Sequence, residues 1–264
     1  MRFADLLHRT GLIAAHRGNR AVSPENTLRA FEASLGVCDF IELDVQLSRD
    51  GRVVVMHDET PERTGGGVKD AVCGLTSDAL GRLDMGAWFY RDDPFGTVAA
   101  GRALPPVPGV PDRIPILDEV LEFAVGHGMP LNIEIKEMSG WHEASKVVDT
   151  VLEAVVQRKA RELVLFSSFN HDYMARIKAL LPDAAVSLLV EGRPPENLIE
   201  YIRQHGAEGY HCDDAGVTEA LVHRLRKAGI FVGVYTVNDP ERSEELFGWG
   251  VSAVFTDDPG GVCR

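Results

Sequence analysis

Residues 12–18 read Leu-Ile-Ala-Ala-His-Arg-Gly and join a short apolar run to a histidine, an arginine and a glycine. Short apolar runs that end in turn residues are typical of buried parallel strands. The run therefore predicts a first strand at 12–16 that delivers His16 and Arg17 to its carboxyl end. In an α/β barrel this end of the strands carries the chemistry.

Eight further apolar runs predict strands, and amphipathic segments lie between most of them. The predicted strands are 12–16, 39–47, 52–57, 131–135, 162–167, 185–190, 208–212, 230–236 and 252–256. The predicted helices are 25–35, 117–126, 143–156, 172–181, 195–204, 218–227 and 240–247. This alternation predicts βα units around a parallel sheet, and we expect an α/β fold of the TIM type, a distorted (β/α)8 barrel.

Nine strands are predicted, one more than such a barrel needs. A short connection explains the extra strand. Asp50-Gly51 predicts a two-residue hairpin loop between the second and third strands. Pairing position 49 with 52 places Asp44 opposite His57, and strand alternation puts Glu42 on the same face as Asp44. We therefore expect one antiparallel strand, which brings two carboxylates and an imidazole together.

Residues 58–115 contain three consecutive glycines and a proline-rich stretch at 105–111. They predict little regular structure beyond a short helix at 77–83. We expect the whole chain, residues 1–264, to form a single barrel domain, with an insertion at about 58–115 after the third predicted strand. The aromatic residues near Trp88 predict that this insertion covers the barrel mouth.

The bulk composition excludes several classes of protein. The net charge of −13, from 40 acidic and 27 basic residues, argues against a nucleic-acid-binding surface. Four widely spaced cysteines, Cys38, Cys73, Cys212 and Cys263, indicate ordinary thiols in a reducing compartment. No stretch approaches the ~18 apolar residues that a transmembrane helix needs. Residues 1–11 are not typical of a signal peptide, so we expect a cytoplasmic protein.

Three carboxylates, Glu42, Asp44 and Glu134, lie on predicted strands and point toward one end of the barrel. Crowded carboxylates repel one another unless a cation neutralises them. Carboxylate oxygens favour Mg²⁺, Ca²⁺ or Mn²⁺ over zinc. We therefore predict a divalent metal site at these three residues. The alternative is that the acids are solvated or paired with Arg17 and Lys136.

Seven segments spread over residues 13–259 combine into a family pattern. They are His16-Arg17-Gly18, Pro24-Glu25-Asn26-Thr27, Glu42 with Asp44, His57-Asp58, Glu134 with Lys136, Tyr235-Thr236-Val237-Asn238 and Phe255-Thr256-Asp257-Asp258-Pro259. This ordered set resembles the glycerophosphodiester phosphodiesterase family. The resemblance implies a metal-dependent hydrolase that cleaves a small-molecule glycerophosphodiester to sn-glycerol 3-phosphate and an alcohol.

The remaining polar residues then take expected roles around the phosphate. His16 and His57 lie on different strands, which suits a pair that removes one proton and protonates the leaving alkoxide. Arg17 can clamp two phosphate oxygens with its planar fork, and Lys136 adds a point charge. A structural ion pair of Lys136 with Glu134 or Glu42 is the alternative.

Two further segments are open to a structural as well as a functional interpretation. The resemblance implies that Tyr235 walls the glycerol pocket, with core packing as the alternative. Glu25 and Asn26 either orient the first loop or begin a helix that has Pro24 in its first turn. His211, at the end of a predicted strand, is expected to play no part in the site.

Two rival functions stay open at this point. An enzyme similar to lysophospholipase D would use the aromatic residues of the insertion to contact an acyl chain. A non-catalytic protein that binds phosphate esters would keep the fold without the chemistry. For a hydrolase, attack by water and attack by a glycerol hydroxyl through a cyclic phosphate both fit. The sequence leaves the headgroup and the oligomeric state open.

Overall fold

The computed structural model describes residues 2–138, 140–142 and 144–262. Within them, each predicted strand is present. The strands are β1 Leu12–Ala15, β2 Phe40–Leu47, β3 Val53–Val55, β4 Leu131–Ile135, β5 Val164–Ser168, β6 Ala185–Val190, β7 Gly209–Asp213, β8 Phe231–Tyr235 and β9 Ala253–Thr256.

Each predicted helix is also present, with ends that shift by a few residues. The helices are α1 Leu28–Glu32, α2 Ser77–Leu80, α3 Ala87–Asp92, α4 Leu117–His127, α5 Ala144–Gln157, α6 His171–Leu180, α7 Leu198–Gln204, α8 Glu219–Lys227 and α9 Pro240–Gly248. Glu143, the predicted start of α5, lies outside the described residues, as does Cys263. No helix in the described part of the chain is both long and apolar enough to cross a membrane.

Local sequence explains where several helices begin and end. Thr218 caps α8, because its side chain accepts a hydrogen bond from the backbone of Leu221. Asp239 caps α9 and is followed by Pro240, which is favoured at the first helical position. Gly128 ends α4 with a φ of +61°, a conformation that glycine adopts without strain.

Eight parallel strands close a barrel, which confirms the predicted fold. Their order is β1-β9-β8-β7-β6-β5-β4-β2, and β1 pairs with β2 to complete the ring. The surplus strand β3 lies outside the ring and pairs antiparallel with β2, as the hairpin signal predicts. Since all eight barrel strands point the same way, their carboxyl ends converge on one mouth.

The interior of the barrel is apolar at the amino ends of the strands. Leu12, Phe40 and Phe231 begin their strands there and are fully buried. Phe3, from a short 3-10 helix at Phe3–Asp5, packs against them, with its ring centroid 5.2 Å from that of Phe40. These apolar side chains fill one end of the barrel, and the polar side chains of the interior lie at the other end.

The β2–β3 hairpin differs from its predicted register by one residue. Ser48 and Arg52 close a three-residue loop, in which the Ser48 amide donates to the Arg52 carbonyl at 2.9 Å. Gly51 takes the left-handed conformation, φ +76°, that such a loop requires. Asp44 therefore pairs with Met56, whose amide donates to the Asp44 carbonyl, and the prediction that His57 lies opposite Asp44 is wrong. His57 instead follows the end of β3.

The insertion is more ordered than its composition predicts. A helix forms at α3, where the sequence predicted none, and α2 matches the predicted helix at 77–83. Val72, Leu80 and Ile114 pack with neighbours from β3 in a small apolar cluster of their own. Trp88 is 6% exposed and Phe89 is fully buried. These rings therefore pack within the insertion, and the expectation that they cover the barrel mouth is not met.

His211 lies on β7 inside the barrel and is fully buried. Its ring packs 4.9 Å from the Phe255 ring, and neither ring nitrogen has a hydrogen-bond partner among the described residues. Burial lowers the pKa of His211 to about 3, because the imidazolium form would lose its hydration.

This environment predicts a specific dependence of stability on pH. A histidine in the unfolded chain has a pKa of about 6.5. Below that pH, the unfolded state therefore binds more protons at this position than the folded state does. Stability is therefore lost as the pH falls through ~6.5. On acidification from about pH 7 to about pH 5, the wild type should lose about 2 kcal/mol more unfolding free energy than His211→Leu does.

Urea unfolding at the two pH values measures this difference. His8→Leu, which removes an exposed histidine, is the matched control and should follow the wild type. An identical pH dependence in the wild type and His211→Leu would contradict the buried, neutral state of His211.

Candidate active site

Three acidic side chains meet where β1, β2 and β4 end at the barrel mouth. Glu42 and Asp44 alternate with outward-facing residues of β2, and Asp44 pairs in register with Glu134 of β4. One carboxylate oxygen from each of the three residues lies within 4.8 Å of the others. Glu42 and Asp44 are buried, and Glu134 is nearly so. The structure thus brings the predicted acidic trio together.

Two cations lie against these acids. Lys136 Nζ is 2.7 Å from Glu134 Oε1 and 3.6 Å from Asp44 Oδ1. Arg17 Nε is 3.4 Å from Asp44 Oδ2, and the Arg17 amide donates to Glu42 Oε2 at 2.8 Å. The ion pair between Lys136 and Glu134 that the sequence offered as an alternative is therefore present.

The pKa values of the three acids show how incomplete this neutralisation is. Burial raises the pKa of Glu42 well above its usual value, and the charges of Asp44 and Glu134 add to the effect. Burial and Asp44 also raise the pKa of Glu134. For Asp44 burial acts in the same direction, but Arg17 and Lys136 overcome it and hold the pKa of Asp44 below its usual range. Three carboxylates thus face two cations, and both burial and mutual repulsion oppose the ionised forms of Glu42 and Glu134.

The loop after β1 positions Arg17 through two left-handed residues. Arg17 has a φ of +56° and Gly18 a φ of +81°. A Cβ at Gly18 would lie 2.8 Å from backbone and side-chain atoms of Ala30, so only glycine fits this turn. The sharp turn lets the Arg17 side chain fold back over the acids.

Asn26 holds the Asp44 carboxylate through a hydrogen bond, and it does not begin a helix. Its φ of +55° is incompatible with a helix, and α1 begins at Leu28 with Thr27 as its cap. The Asn26 side-chain amide donates to Asp44 Oδ2 at 2.8 Å. The interpretation of Pro24-Glu25-Asn26 as the first helical turn is therefore wrong, because Asn26 serves the site.

Each predicted catalytic histidine is paired with an aspartate to which the sequence analysis assigned no role. His16 Nδ1 lies 2.7 Å from Asp257 Oδ1, and His57 Nδ1 lies 2.7 Å from Asp58 Oδ1. An ionised carboxylate only accepts hydrogen bonds, so Nδ1 of each ring carries the hydrogen and Nε2 keeps its lone pair. Both rings therefore have one nitrogen available to exchange a proton.

The two aspartates are held by further hydrogen bonds. The Asn238 side chain donates to Asp257 Oδ2 at 2.8 Å, and the guanidinium of Arg63 donates to Asp58 Oδ2 at 2.8 Å. Burial opposes ionisation of Asp58, but its hydrogen bonds with His57 and Arg63 lower its pKa to about 2. Burial itself lowers the pKa of His16, more than Asp257 raises it. The aspartates thus stay ionised, and the neutral form of the His16 imidazole is favoured.

A pocket of about 160 Å³ opens among these groups at the barrel mouth. Seven of the eight predicted site residues line it, and Asp44, only 1% exposed, lies beneath them. The polar lining consists of His16, Arg17, Glu42, His57, Asn132, Glu134, Lys136 and Thr236. The apolar wall consists of Phe169, Leu189, Tyr235 and Phe255. The Tyr235 hydroxyl donates to the Val190 carbonyl at 3.1 Å, which fixes the ring at the edge of the pocket.

Glu25 forms the centre of an ion-pair cluster that sequence reasoning missed. It is 3% exposed, and its carboxylate lies 2.8 Å from Arg17, 2.7 Å from Arg20 and 2.7 Å from Arg63. Burial raises the pKa of Glu25, but these arginines outweigh it and hold the pKa below its usual range. Arg17 is thereby held by an acid that is not one of the three at the barrel mouth.

The aromatic rings of the insertion support this cluster and do not line the pocket. The Arg63 guanidinium lies 5.3 Å from the centre of the Trp88 ring, and that of Arg20 lies 5.3 Å from the Phe95 ring. Neither ring lines the pocket described above. The insertion therefore contacts the site indirectly, through the arginines that surround Glu25.

Comparison with known proteins agrees with this geometry. The sequence model of the glycerophosphoryl diester phosphodiesterase family matches residues 16–261. A glycerophosphodiester phosphodiesterase of Caldanaerobacter subterraneus subsp. tengcongensis is 34% identical over 252 residues, which cover 94% of this chain and 94% of the relative. One from Bacillus altitudinis is 33% identical over 253 residues, again with 94% of each chain covered.

Solved structures give the same result. A phosphodiesterase of Oleispira antarctica, in complex with the product sn-glycerol-3-phosphate, has a TM-score of 0.82 at 28% identity, covering 95% of this chain and 94% of that one. A protein of Silicibacter pomeroyi, described as a glycerophosphoryl diester phosphodiesterase on similarity, has a TM-score of 0.85 at 25% identity, covering 97% and 94%. The resemblance seen in the sequence is confirmed, and the chain is an enzyme that belongs to the glycerophosphoryl diester phosphodiesterase family.

Proposed function

We propose that this enzyme hydrolyses glycerophosphodiesters to sn-glycerol 3-phosphate and an alcohol, with a divalent metal ion held by Glu42, Asp44 and Glu134. The observation that carries the proposal is the pocket itself, in which the acidic trio and two carboxylate-oriented histidines surround one space. At about 160 Å³ this space suits a phosphate with a glycerol group.

The acidic trio fits a hard divalent cation. Its donors are three carboxylates close enough to share one ion, and burial together with repulsion from the neighbouring acids raises the pKa values of Glu42 and Glu134. Mg²⁺, Ca²⁺ and Mn²⁺ all prefer such oxygen ligands. When bound, the ion supplies Lewis-acid polarisation of a phosphate oxygen.

Arg17 and Lys136 bind the non-bridging oxygens of the phosphate. Arg17 lines the pocket, and its planar guanidinium can bind two phosphate oxygens there. Lys136 lies on the other side of Asp44 and contributes a second positive charge. Tyr235, with Phe169 and Leu189, forms the wall against which the glycerol packs.

His16 and His57 exchange the protons of the reaction. One imidazole takes a proton from the nucleophile at its Nε2, and the other, which enters the step as the imidazolium with a proton on Nε2, gives that proton to the leaving alkoxide. Asp257 and Asp58 keep each ring in the tautomer that this exchange requires. Direct attack by water and attack by a glycerol hydroxyl, which forms a cyclic phosphate, use the same two histidines.

The rival functions receive less support. A lipid-cleaving enzyme was suggested by the aromatic residues of the insertion, which pack on arginines of the Glu25 cluster. A binding protein without catalysis has no need of two oriented histidines. The single-domain organisation over residues 1–264, with its insertion at about 58–115, and the cytoplasmic location remain part of the proposal.

Metal binding can be tested without any assay of turnover. Isothermal titration with Mg²⁺, Mn²⁺ or Ca²⁺ should give one site in the wild type. Glu42→Gln, Asp44→Asn and Glu134→Gln should each weaken it by about tenfold or more, because each removes an anionic ligand. Glu32→Gln, on the exposed face of α1, is the matched control. Equal affinity in all four variants would exclude the trio as the site.

The histidine pair predicts the outcome of a kinetic experiment. With glycerophosphocholine as substrate and metal present, His16→Ala and His57→Ala should lower kcat by about 10²-fold or more. His211→Leu, which lies below the pocket, should retain the wild-type kcat. Excess chelator should abolish turnover in all of them. A wild-type kcat in either alanine variant would show that the ring is not the proton carrier.

Asp257 should act as a positioning residue for His16. Asp257→Asn places an amide donor opposite Nδ1, which favours the wrong imidazole tautomer, and kcat should fall by about 10²–10⁴-fold. Metal affinity should stay unchanged, and Asp257→Glu should restore part of the activity. The proposed role is refuted if Asp257→Asn loses metal affinity in parallel with kcat, because that outcome indicates general damage to the site.

A further inference from the structure

Glu25 does not line the catalytic pocket, and its buried carboxylate binds two arginines besides Arg17. The guanidinium of Arg63 donates to both carboxylate oxygens, at 2.7 Å to Oε1 and at 3.0 Å to Oε2. Arg20 Nη2 lies 2.7 Å from Oε2. One carboxylate thus holds arginines from two segments of the chain, because Arg20 belongs to the loop after β1 and Arg63 to the start of the insertion.

Arg63 connects Glu25 to the aspartate that pairs with His57. Its Nε donates to Asp58 Oδ2 at 2.8 Å, and its Nη2 donates to Asp58 Oδ1 at 3.1 Å. Asp58 Oδ1 is also the oxygen that lies 2.7 Å from His57 Nδ1. Since a guanidinium is planar and rigid, the contacts of Arg63 with Glu25 determine where its contacts with Asp58 lie. One arginine and one aspartate therefore link the His57 ring to Glu25.

Arg20 makes the corresponding connection to the other histidine over a longer contact. Arg20 Nη1 lies 3.5 Å from Asp257 Oδ1, the oxygen that lies 2.7 Å from His16 Nδ1. Asp257 is also held by Asn238, whose side chain donates to Asp257 Oδ2 at 2.8 Å. The connection from Glu25 to His16 is therefore the weaker of the two.

Each of these arginines also lies over an aromatic ring of the insertion. The Arg63 guanidinium is 5.3 Å from the centre of the Trp88 ring, and that of Arg20 is 5.3 Å from the centre of the Phe95 ring. A ring face attracts a guanidinium electrostatically and leaves its N–H groups free to donate to acids. Glu25 is the acid that both arginines share.

We infer that Glu25 is a positioning residue shared by the two proton carriers, His16 and His57. It holds the two arginines in place, the arginines orient the two aspartates, and each aspartate keeps its imidazole in the Nδ1–H tautomer. The inference rests on the proposed phosphodiesterase function, in which both rings exchange protons. Removal of the Glu25 charge leaves the arginines without their common partner, so both rings should lose orientation together.

Nitrogen NMR of the histidine rings tests this arrangement without any assay of turnover. The nitrogen chemical shifts of Nδ1 and Nε2 report the tautomer of each ring, and His16→Ala and His57→Ala assign the signals. At about pH 9, above the range in which histidines ordinarily titrate, both rings of the wild type should be in the Nδ1–H form. In Glu25→Gln both rings should become mixtures of tautomers, and the change should be larger at His57.

Variants of the two arginines separate this connection from general damage to the site. Arg63→Met should change the tautomer of His57 alone, because Arg20 and Glu25 still hold the other pair. Arg20→Met should change the tautomer of His16 alone. Both substitutions remove the charge and keep an unbranched side chain.

The matched control is Arg82→Met. Arg82 is an exposed arginine of the insertion that pairs with Asp78, so its loss should leave both rings and kcat as in the wild type. In Glu25→Gln, kcat on glycerophosphocholine should fall by about tenfold or more, because both proton carriers are misplaced. Glu25→Asp keeps the negative charge and should recover part of this loss.

The tautomer measurement and the kinetic measurement can fail separately. If no diester is cleaved, the phosphodiesterase proposal fails, whereas the ring tautomers still decide the role of Glu25. Wild-type tautomers at both rings in Glu25→Gln would overturn the inference, as would a change at both rings in either arginine variant. If Glu25→Gln does not fold, Glu25→Asp replaces it. Its carboxylate is one methylene shorter, so smaller changes at both rings are expected, and their absence would also overturn the inference.

Discussion

Repulsion among three buried carboxylates is the constraint around which the barrel mouth is organised. Glu42, Asp44 and Glu134 place oxygens within 4.8 Å of one another, in a setting where burial already raises the free energy of each charge. Arg17 and Lys136 neutralise part of this charge. Burial and the repulsion that remains raise the pKa values of Glu42 and Glu134, and this repulsion makes the same site attractive to a divalent cation.

The charged groups of the site and the apolar side chains that fill the barrel lie at opposite ends of the strands. At the amino ends of the strands, Phe3 and its neighbours fill the interior with close-packed apolar side chains. At the carboxyl ends, Arg17 is held from outside the barrel by Glu25, which also binds Arg63. The insertion contacts this cluster, because Trp88 packs against Arg63.

Sequence alone predicted the fold and the main site because both depend on short-range patterns. Each barrel strand is a short apolar run, and polar residues that follow such runs on parallel strands must converge at one end. This reasoning brought His16, Glu42 and Glu134 together before any geometry was known. The hairpin register was missed by one residue, because Asp50-Gly51 also fits a three-residue loop with Gly51 in its last position.

The residues that sequence reasoning missed interact over long separations. Asp257 contacts His16 across 241 positions, and Arg63 contacts Glu25 across 38. No periodicity or spacing signals such pairs, although Asp58 stands directly beside His57 and offered a local clue. Helix α3 was missed for another reason: Gly86 precedes it and provides no side-chain cap. Tertiary packing of Trp88 and Phe89 stabilises that helix instead.

We expect one cation to satisfy the three carboxylates while Arg17 and Lys136 turn to the phosphate. Anomalous diffraction from crystals grown with Mn²⁺ and sn-glycerol 3-phosphate is the direct test. A single peak is expected at the barrel mouth, about 2.0–2.5 Å from an oxygen of each of Glu42, Asp44 and Glu134, with a phosphate oxygen beside it. A structure in which Mn²⁺ binds elsewhere, and Arg17 and Lys136 remain the only partners of the three acids, would contradict it.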